Sequence, residues 1–445
     1  MYYLRFSLTL QSLSKKQNTM NIKYLSVVIA LCFGINASAQ KYVGGDISLL
    51  TKYEEHGAKY YTHTGETISD VLGFFADEKL NAMRVRLFVD PSKAPAAEVG
   101  EGVCQDLDYV CALGKRIKSA GMALMLDIHY SDSWADPAKQ YTPDAWTSLD
   151  DDALVAKVYD YTTEVLKAMK EAGATPDFIQ TGNEISYGIL WGARSASASS
   201  MKSYYAGNEK NAARFFALLK SAGKACREEC PDAKIVIHTE RVQNIDYTKQ
   251  FYNDMATAGI DYDIIGLSYY PYFHGTLSQL EKCLTQTEAA FPEKKIMIVE
   301  AGYPYAWEVP GSTYDYTSMY PYSDEGQLNF TEDLIRTLNR HDSVTGLFWW
   351  FMEANECGLD WNTQRVTDKW YNAPLFDNRD GRATSALSAL KNFLPSSGIS
   401  DVNAAKGDAD SRIFTIDGRL VGTDGDAKQL PAGLYVSAGK KIAVR

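Results

Sequence analysis

The sequence is poor in the residues that build metal centres. Among 445 residues there are 7 cysteines and 6 histidines, with no C-x-x-C pair and no H-E-x-x-H motif. Those spacings are typical of structural and catalytic zinc sites, because they bring two ligands onto one turn or one helix face. We therefore predict that the protein has no zinc site and uses no cofactor.

Positive charge is also scarce. The chain has 45 Lys and Arg against 56 Asp and Glu, which gives a net charge of −11 at pH 7. This balance argues against nucleic acid and anionic membrane surfaces as partners, because both repel an acidic protein. It is compatible with a neutral substrate such as a polysaccharide.

The apolar run near the N-terminus, residues 24–33, is too short to form a permanent membrane span. Lys23 precedes this run, and Ala37-Ser38-Ala39 follows it as a small-x-small cleavage site, which is the pattern of an export signal. We predict a signal peptide over residues 1–39, with Met20 as an alternative start. The mature protein is then expected in the periplasm, at the cell surface or outside the cell.

Disulfide bonds are not needed to hold a chain of this length together. Cys104 and Cys111 are seven residues apart in a predicted helix, about 10 Å along the helix axis, so they cannot bridge each other there. The sequence leaves every other pairing open. The cysteines that remain after residue 39 are Cys104, Cys111, Cys226, Cys230, Cys283 and Cys357.

Aromatic residues, in contrast, are abundant. The chain contains 29 Tyr, 17 Phe and 8 Trp. Sugar rings have apolar C–H faces that pack on aromatic planes, so this composition suits a carbohydrate-binding cleft. Large hydrophobic cores also use Tyr and Phe freely, so composition alone does not establish such a cleft.

Apolar strands alternate with helical patterns along residues 42–394. The alternation favours a parallel sheet, and a count of eight strands favours closure into a (β/α)8 TIM barrel over residues 40–395. Helices are predicted at 68–75, 106–120, 150–173, 208–226 and 277–290. The predicted strands lie within 43–48, 82–91, 122–130, 178–185, 235–238, 264–271, 296–300 and 346–351.

The composition changes after Pro395. Residues 396–410 are polar and rich in small residues, which is typical of a linker, and residues 411–445 contain short strand patterns around a Asp417-Gly418 turn. We predict a small C-terminal β-type tail that has no part in catalysis.

Two glutamates each end an apolar strand. Glu184 follows the apolar run of the predicted fourth strand, and Glu300 ends the predicted seventh strand. The carboxyl ends of barrel strands meet around one cleft, and a pair of carboxylates there is what a glycosidase needs. The alternative is that both glutamates are structural and form salt bridges with arginines inside the barrel.

Other polar side chains are predicted to face the same cleft. Arg84 and Arg86 point to one side of the second strand and need anionic partners, either Glu184 and Glu300 or structural acids. His129 ends the third strand, where it either contacts substrate or serves as a structural histidine.

Several strings resemble glycoside hydrolase family 53, the endo-β-1,4-galactanases, which belong to a clan of retaining (β/α)8 barrel enzymes. The resemblance runs from about Gly44 to Leu390, most of the mature chain. Its strings lie at 126–137, Thr181-Gly182-Asn183-Glu184-Ile185, 266–271, Val299-Glu300-Ala301-Gly302-Tyr303-Pro304 and 325–327.

The resemblance implies a role for each residue of the predicted cleft. Glu300 is expected to be the nucleophile, Glu184 the acid/base, and Asn183 the group that binds the sugar 2-hydroxyl. One of the two arginines is expected to keep Glu300 ionised, and two tryptophans to supply stacking faces. The expected substrate-binding residues are Arg84, Arg86, His129, Trp134, Asn183, Tyr269 and Trp350.

The chain departs from the family pattern in two strings. Ala301 stands where the family usually has threonine, and the last strand runs Trp350-Phe351-Met352-Glu353 instead of ending in Trp-Glu-Pro. The second change leaves open whether Trp349 or Trp350 contacts substrate. Some bacterial members have a calcium site in the later loops, but no cluster of Asp, His and Asn follows Tyr303, so we predict no metal there.

The C-terminal tail has a short resemblance of its own. The stretches at 430–435 and 439–441 are similar to the C-terminal sorting domains of secreted bacterial enzymes.

We therefore expect a secreted, monomeric, retaining endo-β-1,4-galactanase that acts on the galactan of type I arabinogalactan in pectin. Residue types leave two alternatives: a retaining barrel hydrolase for another β-glycan such as mannan or xylan, and a non-catalytic carbohydrate-binding protein. The presence of both glutamates argues against the second alternative. The choice of galactan rests on the resemblance, because substrate identity depends on the shape of the cleft.

Overall fold

The structure is a computed structural model. It describes residues 40–306, 308–367, 373–395, 412–415, 420–423, 430, 433–437 and 440–444. The predicted signal peptide and the predicted linker lie outside the described residues.

Eight parallel strands close into a barrel, which confirms the predicted fold. Each strand pairs with its neighbours in the sequence, and the last strand pairs with the first. Glu184 therefore follows the fourth strand, and Glu300 lies near the end of the seventh. The strands are β1 (Tyr42–Asp46), β2 (Ala82–Leu87), β3 (Ala123–Ile128), β4 (Phe178–Thr181), β5 (Lys234–Thr239), β6 (Ile264–Tyr269), β7 (Lys295–Ala301) and β8 (Val344–Trp349).

Helices pack around the outside of the barrel. Seven of the described helices begin at a side chain that accepts a hydrogen bond from a backbone N–H of the first turn, which stabilises each start by about 1 kcal/mol. These seven caps are Asp70, Asp106, Asp150, Asn208, Asn244, Thr276 and Ser323. The helices are α1 (Leu50–His56), α2 (Val71–Asp77), α3 (Ala96–Gly100), α4 (Leu107–Ser119), α5 (Asp151–Glu171), α6 (Glu209–Glu229), α7 (Ile245–Thr257), α8 (Pro271–His274), α9 (Leu277–Ala290), α10 (Asp324–Leu338) and α11 (Ser385–Ala389).

Two local predictions were wrong. The helix expected from Ile68 begins at Val71, because Thr67–Ile68 pairs with Tyr60–Tyr61 in a short antiparallel hairpin. Cys104 precedes helix α4 instead of lying in it, because the chain enters the helix only after Asp106. The six cysteines named above are all free thiols.

The inside of the barrel changes character from bottom to top. Apolar side chains in the amino-terminal part of the strands, including Ala82, Met125 and Phe178, belong to a separate cluster inside the lower barrel. Two residues further along the same faces, charged groups such as Arg84 and Asp127 replace them. The apolar layer thus forms a floor, and the polar groups above it face the carboxyl ends of the strands, where barrel enzymes keep their sites.

The C-terminal tail forms its own small sheet. The described strands of this sheet are β9 (Arg412–Thr415), β10 (Leu420–Thr423), β11 (Gly433–Ser437) and β12 (Lys440–Val444). They pair antiparallel in the order β10–β9–β11–β12. Within the described ranges, no helix has the length and apolar character that a membrane crossing requires.

Ending the chain at Pro395 should leave the barrel nearly unchanged in activity and stability. The reason is that the barrel closes on itself and the tail strands pair with one another. The thermal unfolding midpoint should move by less than about 2 °C, a change that corresponds to less than about 1 kcal/mol in a domain of this size. Calorimetry and a catalytic assay of the truncated and full-length chains test this, and a large loss of either property would show that the tail supports the barrel.

Candidate active site

The structure brings Glu184 and Glu300 together at the top of the barrel. Ser268, on β6, donates a hydrogen bond from Oγ to Glu184 Oε1 at 2.7 Å and lies 3.5 Å from Glu300 Oε2. These two carboxylate oxygens therefore cannot be farther apart than the sum of the two distances, about 6.2 Å. Both side chains line one cavity of about 500 Å³.

A left-handed turn directs Glu184 into this cavity. The turn begins at Gly182, with φ +102°, and Glu184 itself has φ +47°. A Cβ on Gly182 would lie 2.6 Å from the Ile185 side chain, so this position requires glycine. The turn is anchored by hydrogen bonds from Gly182 N to Ile128 O and from Ile185 N to His238 O. A non-glycine residue held at positive φ is a strained conformation of the kind that clusters at functional sites.

Glu300 is held by a buried cation and a phenol. Arg84 is fully buried, and its Nη2 lies 3.0 Å from Glu300 Oε1 and 2.7 Å from Asp127 Oδ2, while its Nη1 lies 2.9 Å from Asp46 Oδ2. Tyr270 donates from its hydroxyl to Glu300 Oε2 at 2.8 Å. Burial raises the pKa of Glu300, and Arg84 and Tyr270 oppose that rise by stabilising the carboxylate.

Glu184 has the opposite balance. Burial raises its pKa well above the usual range, and the charges of Glu300 and Glu240 raise it further, against the hydrogen bond from Ser268. Arg84 favours the ionised form of Glu300 directly. When the pair holds a single proton, that proton therefore resides on Glu184 and the negative charge on Glu300.

Asn183 and His238 connect the two glutamates from below. Asn183 Oδ1 accepts from Arg84 Nη2 at 2.9 Å, and its Nδ2 donates to Ala135 O at 2.8 Å. His238 Nε2 lies 2.8 Å from Ser268 Oγ, and its Nδ1 faces the backbone N–H of Glu184 at 3.3 Å. Burial lowers the pKa of His238 well below its usual value, and the positive charge of Arg84 lowers it further. The imidazole is therefore neutral. Nδ1 also lies 3.1 Å from Asn183 Oδ1. Because the Ser268 hydroxyl donates its proton to Glu184, its oxygen is placed to accept from Nε2–H of the ring.

Two tryptophans form one wall of the cavity. Trp134 and Trp350 line it with their ring centroids 6.0 Å apart. Arg86 lies behind this wall, with its guanidinium 4.5 Å from the Trp134 ring and 5.2 Å from the Trp350 ring, and its Nη1 pairs with Asp46 Oδ1 at 2.7 Å. Arg86 is therefore placed to support the wall, whereas Arg84 contacts the nucleophile candidate.

The structure distinguishes Trp349 from Trp350 as a possible substrate contact. Trp349 is fully buried and donates from Nε1 to Ala373 O at 2.8 Å, which places it between the barrel and its surrounding loops. Trp350 is the one that reaches the cavity.

Four of the seven predicted substrate contacts do not line the cavity: the buried Arg84 and Arg86, described above, and His129 and Tyr269. His129 is buried, with Nε2 2.9 Å from Asp127 Oδ2 and Nδ1 accepting from Ala135 N at 3.0 Å, which is the structural arrangement considered above as an alternative. Tyr269 points outward from the barrel and donates to Gly275 O at 2.9 Å. Tyr270, the next residue, lines the cavity instead.

Sequence reasoning missed Glu240. It follows β5, lines the cavity, and accepts a hydrogen bond from Ser186 Oγ at 2.7 Å. Burial raises its pKa to about 7. The signal was available, because residues 235–240 form another apolar strand that ends on polar side chains.

The other cavity residues complete the site. Among the residues that the structure describes, no group of three or more His, Cys, Asp or Glu is arranged to hold a metal ion. Besides the two glutamates and two tryptophans, the cavity is lined by Glu101, Ala135, Asp136, Pro137, Ala138, Lys139, Asn183, Glu240, Tyr270, Phe273 and His274.

Comparisons with known proteins show which chains this one resembles. The model of the family described as glycosyl hydrolase family 53 matches residues 42–390. An arabinogalactan endo-β-1,4-galactanase A of Aspergillus niger is 32% identical over 328 residues, covering 71% of this chain and 86% of that protein. The solved GH53 catalytic domain of Ignisphaera aggregans aligns with a TM-score of 0.68 at 30% identity, covering 80% and 97% of the two chains. A solved structure from a study of two fungal β-1,4-galactanases aligns with a TM-score of 0.64 at 29% identity, covering 79% and 99%.

Glu240→Gln should move the alkaline limb of the pH–rate profile to lower pH, by roughly one unit. Above about pH 7 the Glu240 carboxylate is negative and disfavours ionisation of Glu184. The amide removes that charge, so Glu184 loses its proton at a lower pH and the rate falls sooner. The amide oxygen still accepts from Ser186, so the turn should be preserved.

The measurement is kcat/KM against pH for the wild type and the variant. Glu353→Gln is the matched control, because Glu353 is also a buried glutamate with a raised pKa, at about 8, but does not line the cavity. The control should leave the alkaline limb in place. An unmoved limb in Glu240→Gln, or one moved to higher pH, would contradict the assigned effect on Glu184.

Proposed function

The chain belongs to glycosyl hydrolase family 53, and from that premise we propose that it is a secreted endo-β-1,4-galactanase that hydrolyses β-1,4-galactan with retention of anomeric configuration. The choice of galactan as substrate is supported by the Aspergillus niger relative, which is an arabinogalactan endo-β-1,4-galactanase. The chain is a glycoside hydrolase by its family. Galactan as substrate and retention as stereochemical course are the proposed parts.

The short separation of the two carboxylates is the observation that carries the retaining mechanism. Retaining glycosidases hold their carboxyl groups about 5–5.5 Å apart, and inverting enzymes hold them about 6.5–9.5 Å apart to admit a water molecule. Here the two oxygens that share Ser268 lie within about 6.2 Å of each other. A single hydroxyl that reaches both carboxylates supports the closer, retaining arrangement.

In the first step Glu300 attacks the anomeric carbon. The carboxylate forms a bond to that carbon as the glycosidic C–O bond breaks, and Glu184 transfers its proton to the departing oxygen. Arg84 and Tyr270 hold the carboxylate in place through Oε1 and Oε2 respectively. The products of this step are a covalent glycosyl-enzyme and a neutral leaving sugar.

In the second step Glu184 acts as a base. Now ionised, it accepts a proton from a water molecule that attacks the anomeric carbon on the face the leaving group vacated. The bond to Glu300 breaks, and both glutamates return to their starting protonation states. Ionisation of Glu184 is easier in this step, because the ester-linked Glu300 no longer carries the charge that opposed it.

The cavity supplies contacts for the sugar that reacts. Asn183 is adjacent to Glu184 and fixed by Arg84 and Ala135, which suits it to the 2-hydroxyl, where hydrogen bonds strengthen in the transition state. Trp134 and Trp350 offer aromatic faces for apolar sugar surfaces.

Export and a monomeric state complete the proposal. The charged, apolar and small-residue pattern of residues 1–39 supports secretion, which suits an enzyme whose polymeric substrate cannot enter the cell. Both proposed catalytic glutamates belong to the same chain, so the proposed chemistry needs no second copy.

A panel of polysaccharides tests the substrate. The purified protein should release oligosaccharides from β-1,4-galactan at least about 10²-fold faster than from β-mannan or xylan, because a site built to pair particular hydroxyls rejects sugars that place them elsewhere. Product analysis by chromatography gives the rates. Preference for mannan or xylan would reject galactan while leaving the hydrolase assignment intact.

The two glutamates should differ in chemical rescue. Glu300→Ala should lose roughly 10⁴-fold or more in kcat, and azide should restore turnover by attacking from the vacated side to give an inverted glycosyl azide. Glu184→Ala should retain its first step on an aryl glycoside with a good leaving group, which needs no proton to depart. Azide should then accelerate the second step and give a product of retained configuration. NMR of the products distinguishes the two, and the reverse assignment of configurations would mean that the roles are exchanged.

A further inference from the structure

The positions of the two glutamates define the side on which the leaving sugar departs. Strands β4 and β7 are three apart in the ring of eight, so Glu184 and Glu300 lie on nearly opposite sides of the cavity. A sugar bound over Glu300 has its scissile bond directed toward Glu184. The rest of the leaving chain must then pass over the loops that follow β3 and β4.

A second depression lies between these two loops. Its volume is about 450 Å³. Ala138, in the loop after β3, lines both this depression and the catalytic cavity, so the two are contiguous. The side chains relevant to binding here are Trp191, Ser203, Tyr204, Asn208 and Asn211.

Tyr204 presents an exposed ring at this position. It is 64% exposed, unusual for a large aromatic side chain. Its ring packs against Tyr187, with centroids 5.1 Å apart, and Tyr187 is three residues after Glu184. Arg241 fixes Tyr187 by lying 4.8 Å from its ring and donating to its hydroxyl. The Tyr204 ring is therefore held by its contact with Tyr187, so a ligand that packs on it needs to order few additional side chains.

The chemistry of the depression suits a neutral, amphipathic ring. None of the nine described residues that line it is charged. The aromatic ring matches the apolar C–H face of a pyranose. Asn208 Oδ1 accepts from Asn211 N and Asn211 Nδ2 donates to Tyr204 O, so the atoms that match the hydroxyls at its edge are Asn208 Nδ2 and Asn211 Oδ1.

We propose that Tyr204 and the depression beside it form a binding subsite for a pyranose ring of the leaving portion of the glycan, beyond the bond that Glu184 protonates. The subsite rests on the proposed function, since it takes the same polymer that the catalytic cavity cleaves. It favours binding modes in which several sugars extend toward the reducing end.

Tyr204→Ala should lower kcat/KM on β-1,4-galactan by about five- to tenfold, mainly through KM, the effect expected for loss of one aromatic contact. On galactohexaose labelled at its reducing end, cleavage should shift toward that end, because modes with many sugars on the leaving side lose their advantage. Tyr204→Phe should behave like the wild type, because stacking does not require the hydroxyl.

Two comparisons separate a subsite from a structural role. A nitrophenyl β-galactotrioside has no sugar on the leaving side, so the loss in Tyr204→Ala should not extend to it. Tyr159→Ala, which removes a tyrosine that packs against Lys224 on the outer helices, serves as the matched control and should change neither rate nor cleavage pattern.

An unchanged cleavage pattern in Tyr204→Ala would overturn the proposal. An equal loss on the aryl substrate would overturn it too, since the residue would then act on the catalytic centre. Failure of the proposed function has a different signature: the wild type itself would leave galactan intact. The cleavage pattern is then measured on labelled oligosaccharides of whichever glycan the wild type degrades, and it decides the subsite by the same criterion.

Discussion

The buried guanidinium of Arg84 is the interaction on which the site depends. It has no exposed surface and lies within 3.0 Å of carboxylate oxygens from Asp46, Asp127 and Glu300, which belong to β1, β3 and β7. Removing a cation from water costs several kcal/mol, and that cost is offset only where anions surround the charge with good geometry. The arginine on β2 therefore links its two neighbouring strands, β1 and β3, to the more distant β7. Because one of the three acids is the nucleophile candidate, the constraint that closes the top of the barrel also fixes the reacting oxygen.

Acids outnumber bases around this point, and this imbalance sets the protonation states. Asp127 remains ionised, since Arg84 and His129 lower its pKa against the effect of burial. Glu353, which accepts from Leu49 N and is fully buried, has its pKa raised by burial to about 8. A low-dielectric site cannot hold every carboxyl group ionised when the cations are too few. The groups without a close cation retain their protons, and Glu184 is among them. An acid catalyst thus results from the charge balance of the whole site, and no single dedicated partner is required.

The sequence predicted the direction of a side chain correctly where the alternation along a strand determines that direction. The positions of Arg84 and Arg86 on one face, and of Glu184 and Glu300 at strand ends, follow from a period of two and the closure of the barrel. Tyr269 was predicted to contact substrate from the family resemblance, without regard to the alternation of side chains along the strand. Ser268 faces inward, so the next residue must face the helices and Tyr270 must return to the cavity. His129 shows a different limit. It does lie on the inward face, but Asp127 and the loop backbone occupy both of its nitrogens, and such competition between neighbours is visible only in three dimensions.

Backbone strain is the feature that the sequence concealed most completely. Tyr130, Glu184 and Phe351 all have positive φ, and each lies just beyond the carboxyl end of a barrel strand. Such conformations cost of order 1–3 kcal/mol each and persist only where the surroundings impose them. Glycine and asparagine are the residues that most often adopt positive φ. Because other residue types stand at these positions, the sequence gives no sign of this conformation. The barrel can sustain them because the apolar layer that includes Phe178 and Ile264, the first residues of β4 and β6, supplies packing at the amino ends of the strands. Four of the five described non-glycine residues with positive φ, and the buried charges around Arg84, lie at the other end, where the turn after β4 brings the Glu184 carboxyl group over the cavity.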